Sequence, residues 1–346
     1  MRCCDKATAL TGHGPCSKLW LMRTIRPAFL VAVAGLATAT GCAGSGSDSA
    51  SSPKPVILET EHFTVAPGEE KTLCQVIHAG NEAMEFNNIS SRMIDGSHHL
   101  ILFRHAAIPG YSTPEPGLQE CNMESPRLYV YGAQEAVHDV SLPEGIGGRL
   151  QENEIFILEV HIANASEQTL EAFATVSINP APAGSIEQYS GILFYMNSDF
   201  SIPPGAGIEG APVHTDEAVC RVPRDVNVFR MQSHTHKRMT RVNTWLTDAD
   251  GKDEQVIYKN EDWHAPVSRD FKDPTLAIQS GKNIRFECSW TNETDNPVEF
   301  GPSVEDEMCI VGLGYYPAIE FDDGGEHTVP IDMRGNVFCV DGDLFY

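Results

Sequence analysis

The segment Glu154-Ile-Phe-Ile-Leu-Glu-Val-His-Ile162 alternates with a period of two. Phe156, Leu158, Val160 and Ile162 fall on one face, and Ile157, Glu159 and His161 on the other. A strand gathers such sets onto opposite sides automatically; a helix, with about 3.6 residues per turn, cannot. The same pattern recurs along the chain. Arg241–Leu246 and Gln255–Tyr258, joined through Asp250-Gly251, read as a hairpin, and Lys282–Cys288 and Cys309–Tyr316 as further strands. No long stretch keeps a helical period, and Gly, Pro, Asn and Asp interrupt the chain at short intervals. This density of short strands predicts an all-β chain of antiparallel β-sandwiches. The 346 residues are enough for two such domains. Asn179-Pro-Ala-Pro-Ala-Gly-Ser185 is the natural boundary, placing one domain over 55–182 and the other over 183–346.

The first fifty residues are of another kind. Arg23 and Arg26 precede the apolar run Ala28–Thr40, which is too short to span a bilayer as a stable helix and reads as an export signal. It ends at Gly41-Cys42-Ala43-Gly44, followed by a Ser/Gly-rich stretch. This resembles a bacterial lipobox with a flexible tether over 42–54, Cys42 being the lipid anchor, although Ala39 stands where a larger aliphatic residue is usual. Residues 1–41 are then leader and signal peptide, with Met22 as the expected true start. The expected location is a bacterial outer-membrane or cell-surface lipoprotein, otherwise periplasmic or secreted. Membrane contact is expected only through that anchor.

A formal net charge of −24 leaves little to neutralise phosphates, so nucleic-acid binding is not expected. Of the ten cysteines, six fall in the mature chain beyond Cys42: Cys74, Cys121, Cys220, Cys288, Cys309 and Cys339. None forms a CxxC pair, which favours disulfides in an oxidising compartment, with the connectivity open from spacing alone.

Chemistry concentrates in a few histidines and one methionine. His234 and His236, two apart in Ser233-His-Thr-His236, project from one face of a strand and can grip one ion. Met308, in Asp306-Glu-Met-Cys309, would add a soft neutral thioether, which favours Cu(I). His98 and His99 are adjacent, so both reach one ion only at a bulge or strand end; Asp95-Gly96 supplies such an irregularity. His161 would add a third nitrogen from another strand. A Gly-x-Ser-x-Gly elbow, a phosphate-binding Gly loop and a His-Glu-x-x-His helix are all absent from the sequence.

In order, His98-His-Leu-Ile-Leu-Phe103, Leu158-Glu-Val-His161, His234-Thr-His236 and Asp306-Glu-Met-Cys309 with Tyr315-Tyr-Pro317 resemble the copper type II, ascorbate-dependent monooxygenases. That family includes the peptidylglycine α-hydroxylating and dopamine β-monooxygenases. The resemblance implies two jelly-roll-like sandwiches facing across a cleft and two copper ions per chain. His98, His99 and His161 would form the electron-transfer site, and His234, His236 and Met308 the oxygen-activating, catalytic site. It also implies the disulfides Cys74–Cys121, Cys220–Cys339 and Cys288–Cys309. The implied function is hydroxylation of an activated C–H in a small organic molecule, with dioxygen and an external reductant such as ascorbate.

The sequence departs from the peptide enzymes at the substrate. Gln232 stands where they carry an arginine that helps hold the substrate carboxylate, and Ile310 and Gly312 stand where they carry an asparagine and a tyrosine. Peptide specificity is therefore not expected. The alternative function is a copper-storing or copper-sensing surface lipoprotein without catalysis.

Overall fold

The computed structural model describes residues 53–346 apart from 81, 107–110, 122–126, 253, 320–335, 341–342 and 346. The leader, Cys42 and most of the tether lie outside the described residues. The described part of the chain is all-β, as expected, with no helix among the described residues.

Glu154–Ala163 is a central strand of the first sandwich, antiparallel to Glu70–Ala79 on one side and to Ser97–His105 on the other. Arg127–Ala133 extends this sheet beyond Ser97–His105. The faces divide as the alternation requires: Phe156, Leu158, Val160 and Ile162 are buried in the core. There they meet Phe86, Ile89, Val176 and Ile178 from the opposing sheet, in which Met84–Met93 pairs with Ala174–Pro180. Such a core is built by burying one face of each sheet, about 1.5–3 kcal/mol per large apolar side chain. Ile157, Glu159 and His161 are left on the outer face of their sheet.

Beyond the turn at Gly184, Gln188–Tyr189 pairs in parallel with Ile146–Leu150 of the first sandwich, and the tyrosine hydroxyl donates to Glu85 at 2.6 Å. Gly191–Asn197 then opens the second sandwich. It lies beside Cys309–Tyr316, which pairs on its other edge with Val226–His234. The facing sheet holds His214–Arg221, Asn283–Trp290 and the expected hairpin, Met239–Thr247 with Gln255–Asn260. Gly251 in its turn has φ 75°, a left-handed conformation that costs glycine little. Leu193, Tyr195, Met231, Val311, Leu313 and Tyr315 pack against Val242, Phe286 and Trp290.

Among the described residues three disulfides brace the molecule: Cys74–Cys121 in the first sandwich, and Cys220–Cys339 and Cys288–Cys309 in the second. Both sandwiches belong to one unit, Ser51–Tyr346. Their outer faces meet across a cavity of about 1220 Å³ lined from both sides.

Candidate metal centre

One end of that cavity is a histidine cluster. His161 pairs in register with His99, but the next residue, Ile162, pairs with Ser97, so His98 is the extra residue of a β-bulge. The bulge turns His98 to the side of its neighbour, where sheet alternation alone would have opposed them. Gly96, just before, has φ 91°. As a result His98 Nδ1 lies 3.1 Å from His99 Nδ1 and 3.3 Å from His161 Nδ1. One ligand atom from each of the three can be chosen so that all lie within 4.8 Å of one another.

Carboxylates fix which nitrogen faces inward. His161 Nε2 is 2.7 Å from Glu70 Oε1, and His99 Nε2 is 3.7 Å from Glu159 Oε1. A carboxylate accepts, so each Nε2 carries the hydrogen and each Nδ1 keeps its lone pair for the centre. Arg127 holds Glu159 from the far side at 3.1 Å.

In the second sandwich the pattern reverses. His236 Nδ1 donates to the Asp306 carbonyl at 3.2 Å, leaving Nε2 buried without a hydrogen-bond partner among the described residues. His234 Nδ1 meets Gln134 Oε1 at 3.4 Å. Gln134 belongs to the first sandwich, and its Nε2 donates to the Trp263 carbonyl, which orients the amide oxygen toward the histidine. His98 Nε2 is likewise buried and unpartnered among the described residues.

The two sets are in contact. The His98 ring lies 5.8 Å from His236 and 6.1 Å from His234, and His99 lies 5.3 Å from His234, centroid to centroid. Trp263 covers His98 at 5.6 Å. Burial first, then the neighbouring imidazoles, lowers the pKa of His98 to about 2; burial lowers that of His236 to about 4 against the Asp306 carbonyl. Burial also lowers His161 and His234. Neutral imidazole is the form that ligates a metal.

Met308 precedes Cys309–Tyr316 and lines the same cavity. Glu307 is the residue whose role the sequence did not disclose. It is fully buried, and its carboxylate accepts the backbone N–H of His236 at 3.0 Å, that of Arg238 at 2.6 Å and the Trp290 indole N–H at 3.1 Å. The Met308 N–H also bonds it. Burial pushes its pKa up to about 7, with those donors pulling down. One carboxylate thus clasps the His-x-His turn to the methionine segment. Its signal in the sequence was only position, between Asp306 and Met308.

Gln232 and Gly312 are register partners, and His234 opposes Ile310, so the three departures from the peptide enzymes lie side by side. Asn164 and Asn292, in glycosylation-like triplets, are buried, each donating to two backbone carbonyls.

Residues 189–330 match the family described as copper type II ascorbate-dependent monooxygenase, C-terminal domain. The dopamine beta-hydroxylase of Canis lupus familiaris is 24% identical over 115 residues, which are 32% of this chain and 18% of that enzyme. Among solved structures, the major capsid protein P2 of bacteriophage PM2 covers 78% of this chain and 99% of its own at 11% identity and TM-score 0.32. A broad bean stain virus chain covers 81% and 95% at 9% identity and TM-score 0.33. These last two likenesses bear on neither the sheet pairing nor the site. The matched residues hold His234, His236, Glu307 and Met308, so over the second sandwich this chain is similar to the C-terminal domain of the copper type II ascorbate-dependent monooxygenases.

Proposed function

We propose that the chain is a dicopper monooxygenase that hydroxylates an activated C–H bond of a small organic substrate, using dioxygen and an external reductant such as ascorbate. One observation carries this reading. Four buried histidines, the half-buried His234 and Met308 gather at one end of a cavity, and four of the rings have their other nitrogen beside an acceptor.

The residues fit the metal. His98, His99 and His161 would hold one copper through Nδ1; His234 and His236, through Nε2, with the Met308 thioether, would hold the other. Copper bound there supplies one-electron transfer and reaction with dioxygen, the thioether favouring its reduced state. The rest is the protein's own work. Glu70 and Glu159 hold the first-site rings, and Glu307 sets the turn that presents His236. Trp263 and Gln134 close the gap between the sandwiches and shield the cluster from water. The cavity wall beside His234 then places a substrate carbon next to the metal-holding end.

The test is copper content of the mature chain and of His236→Ala, alongside ascorbate-driven oxygen consumption. Two coppers in the wild type, falling to about one in the variant, are expected. Met308→Ile should keep the fold and abolish turnover; undiminished turnover would overturn the assignment.

A further inference from the structure

The cavity carries information about substrate that the metal ligands do not. Its floor is the outer face of the second sandwich's sheet. On that sheet Ile192, Phe194 and Met196 alternate with the core residues Leu193 and Tyr195. Its roof is the outer face of the first sandwich, with Ile101, Phe103 and Tyr129. At about 1220 Å³ it exceeds the usual range for small-molecule sites, about 300–1,000 Å³.

Although the chain is strongly acidic, the described lining of the cavity is formally neutral: among the described residues four glutamates and four arginines line it, with no lysine or aspartate. Most of these charges are engaged within the protein. Arg127 pairs with Glu159 and lies over Phe103, Arg149 lies over Tyr189, and Glu70 holds His161. A charged substrate would enter a largely apolar space with no surplus counter-charge to replace its hydration.

Arg230 is the exception in its hydrogen bonding. Its Nε binds Asp270 Oδ1 at 2.7 Å, which balances its charge; Nη1 is buried with no hydrogen-bond partner among the described residues, while the side chain as a whole keeps 21% of its surface exposed and lines the cavity. Arg230, Gln232 and His234 share one face of their strand, and register is regular from Arg230 to His234. Four residues at about 3.4 Å each set the Cα atoms of Arg230 and His234 about 13 Å apart. Gln232 stands between them, and beside it the neighbouring strand leaves room. A Cβ at Gly312, the partner of Gln232, would meet nothing nearer than a backbone oxygen at 4.0 Å.

Resting on the monooxygenase reading, we propose that the substrate class is an elongated, uncharged aromatic molecule with an oxygen acceptor at its far end. Arg230 binds that oxygen, the rings lie over Gly312, and the opposite end reaches His234. Specificity is thus read at Arg230, two residues further along the strand face than Gln232.

The test is calorimetric binding to the full chain as purified, under nitrogen so that no turnover occurs. The probes are four matched biphenyls: 4-acetylbiphenyl, 4-ethylbiphenyl, biphenyl-4-carboxylate and 4-phenylbenzylamine. The ketone should bind one per chain, about tenfold tighter than the ethyl analogue, as expected for a hydrogen bond from a charged donor. Both ions should bind at least about tenfold more weakly than the ketone. Arg230→Met should erase the ketone's advantage and leave the ethyl compound's affinity unchanged, a result that a merely structural arginine would not give. Gly312→Phe, which introduces no backbone clash, should block all four. Tightest binding by the carboxylate or the amine, or a ketone advantage that survives Arg230→Met, overturns the proposal. Copper content separates the two readings: normal copper with the carboxylate preferred overturns the substrate class alone, whereas ketone binding without copper overturns the monooxygenase reading alone.

Discussion

The two histidine sets are built by different means. In the first sandwich His98, His99 and His161 sit on two adjacent strands, and a single bulge brings His98 into line. In the second only His234 ends a strand. His236 lies in the turn beyond, and Met308 just ahead of another strand. A set built inside a sheet is positioned by the ladder itself. A set built from strand ends must be fastened by side chains, and here Glu307 and the Cys288–Cys309 bridge do so.

Removing the fastening should therefore harm the second set far more than the first. Glu307→Ala leaves the N–H groups of His236, Arg238 and Trp290 buried without an acceptor. At about 1–3 kcal/mol per orphaned group, incompletely additive, a loss of roughly 3–5 kcal/mol in denaturant unfolding is expected. Copper should fall from two per chain to one, the remaining ion keeping an all-nitrogen spectroscopic signature. Loss of both coppers from a folded variant would show that the clasp serves the whole cluster.

The disulfide comes next. Replacing Cys288 and Cys309 together by alanine opens a link across a sequence separation of 21, worth about 3 kcal/mol on the chain-entropy account. Because Cys309 adjoins Met308, copper affinity at the second set should weaken while the first is spared. Equal weakening at both would place the bridge's role in overall stability alone.

Much of this was legible in the sequence, for reasons that can be named. Alternation over Glu154–Ile162 placed the core residues on one face and Glu159 and His161 on the other, because a strand's period admits no other arrangement. Asp95-Gly96 marked where an irregularity could fall, and the bulge is at His98. What alternation cannot show is which sheet faces which. The meeting of His98 with His236, and of Gln134 with His234, depends on how two sandwiches dock. The role of Glu307 was hidden for another reason: a glutamate among acidic neighbours looks solvated until its burial is seen. The spacing of Arg230 from His234 was readable all along, but its meaning required the cavity.

Within the first set, the ring-holding carboxylate is the next point of attack. Glu70→Gln replaces the ionised acceptor of His161 Nε2–H by a neutral amide. Loss of such a support lowers metal affinity by about 10–100-fold, and the lower end is expected because Gln can still accept. Competition with a copper chelator should show one weakened ion and one unchanged. Since Glu70 Oε1 also accepts the Val304 N–H of the second sandwich at 3.3 Å, weakening of both ions would mean that the two sets are coupled through that contact.

The mildest test addresses the bulge. Gly96 has φ 91°, and a Cβ added there would touch nothing within 4 Å, so Gly96→Ala isolates the backbone cost from any packing cost. That cost is about 1 kcal/mol, enough to lower Tm by a few degrees without unfolding the domain. If the bulge alone positions His98, the strain should relax partly by shifting that residue, and only the first ion should bind more weakly. An unchanged first ion together with a lower Tm would mean that ring contacts from His236 and Trp263 hold His98 once the sandwiches have docked. The first set would then depend on its neighbour almost as much as the second depends on Glu307.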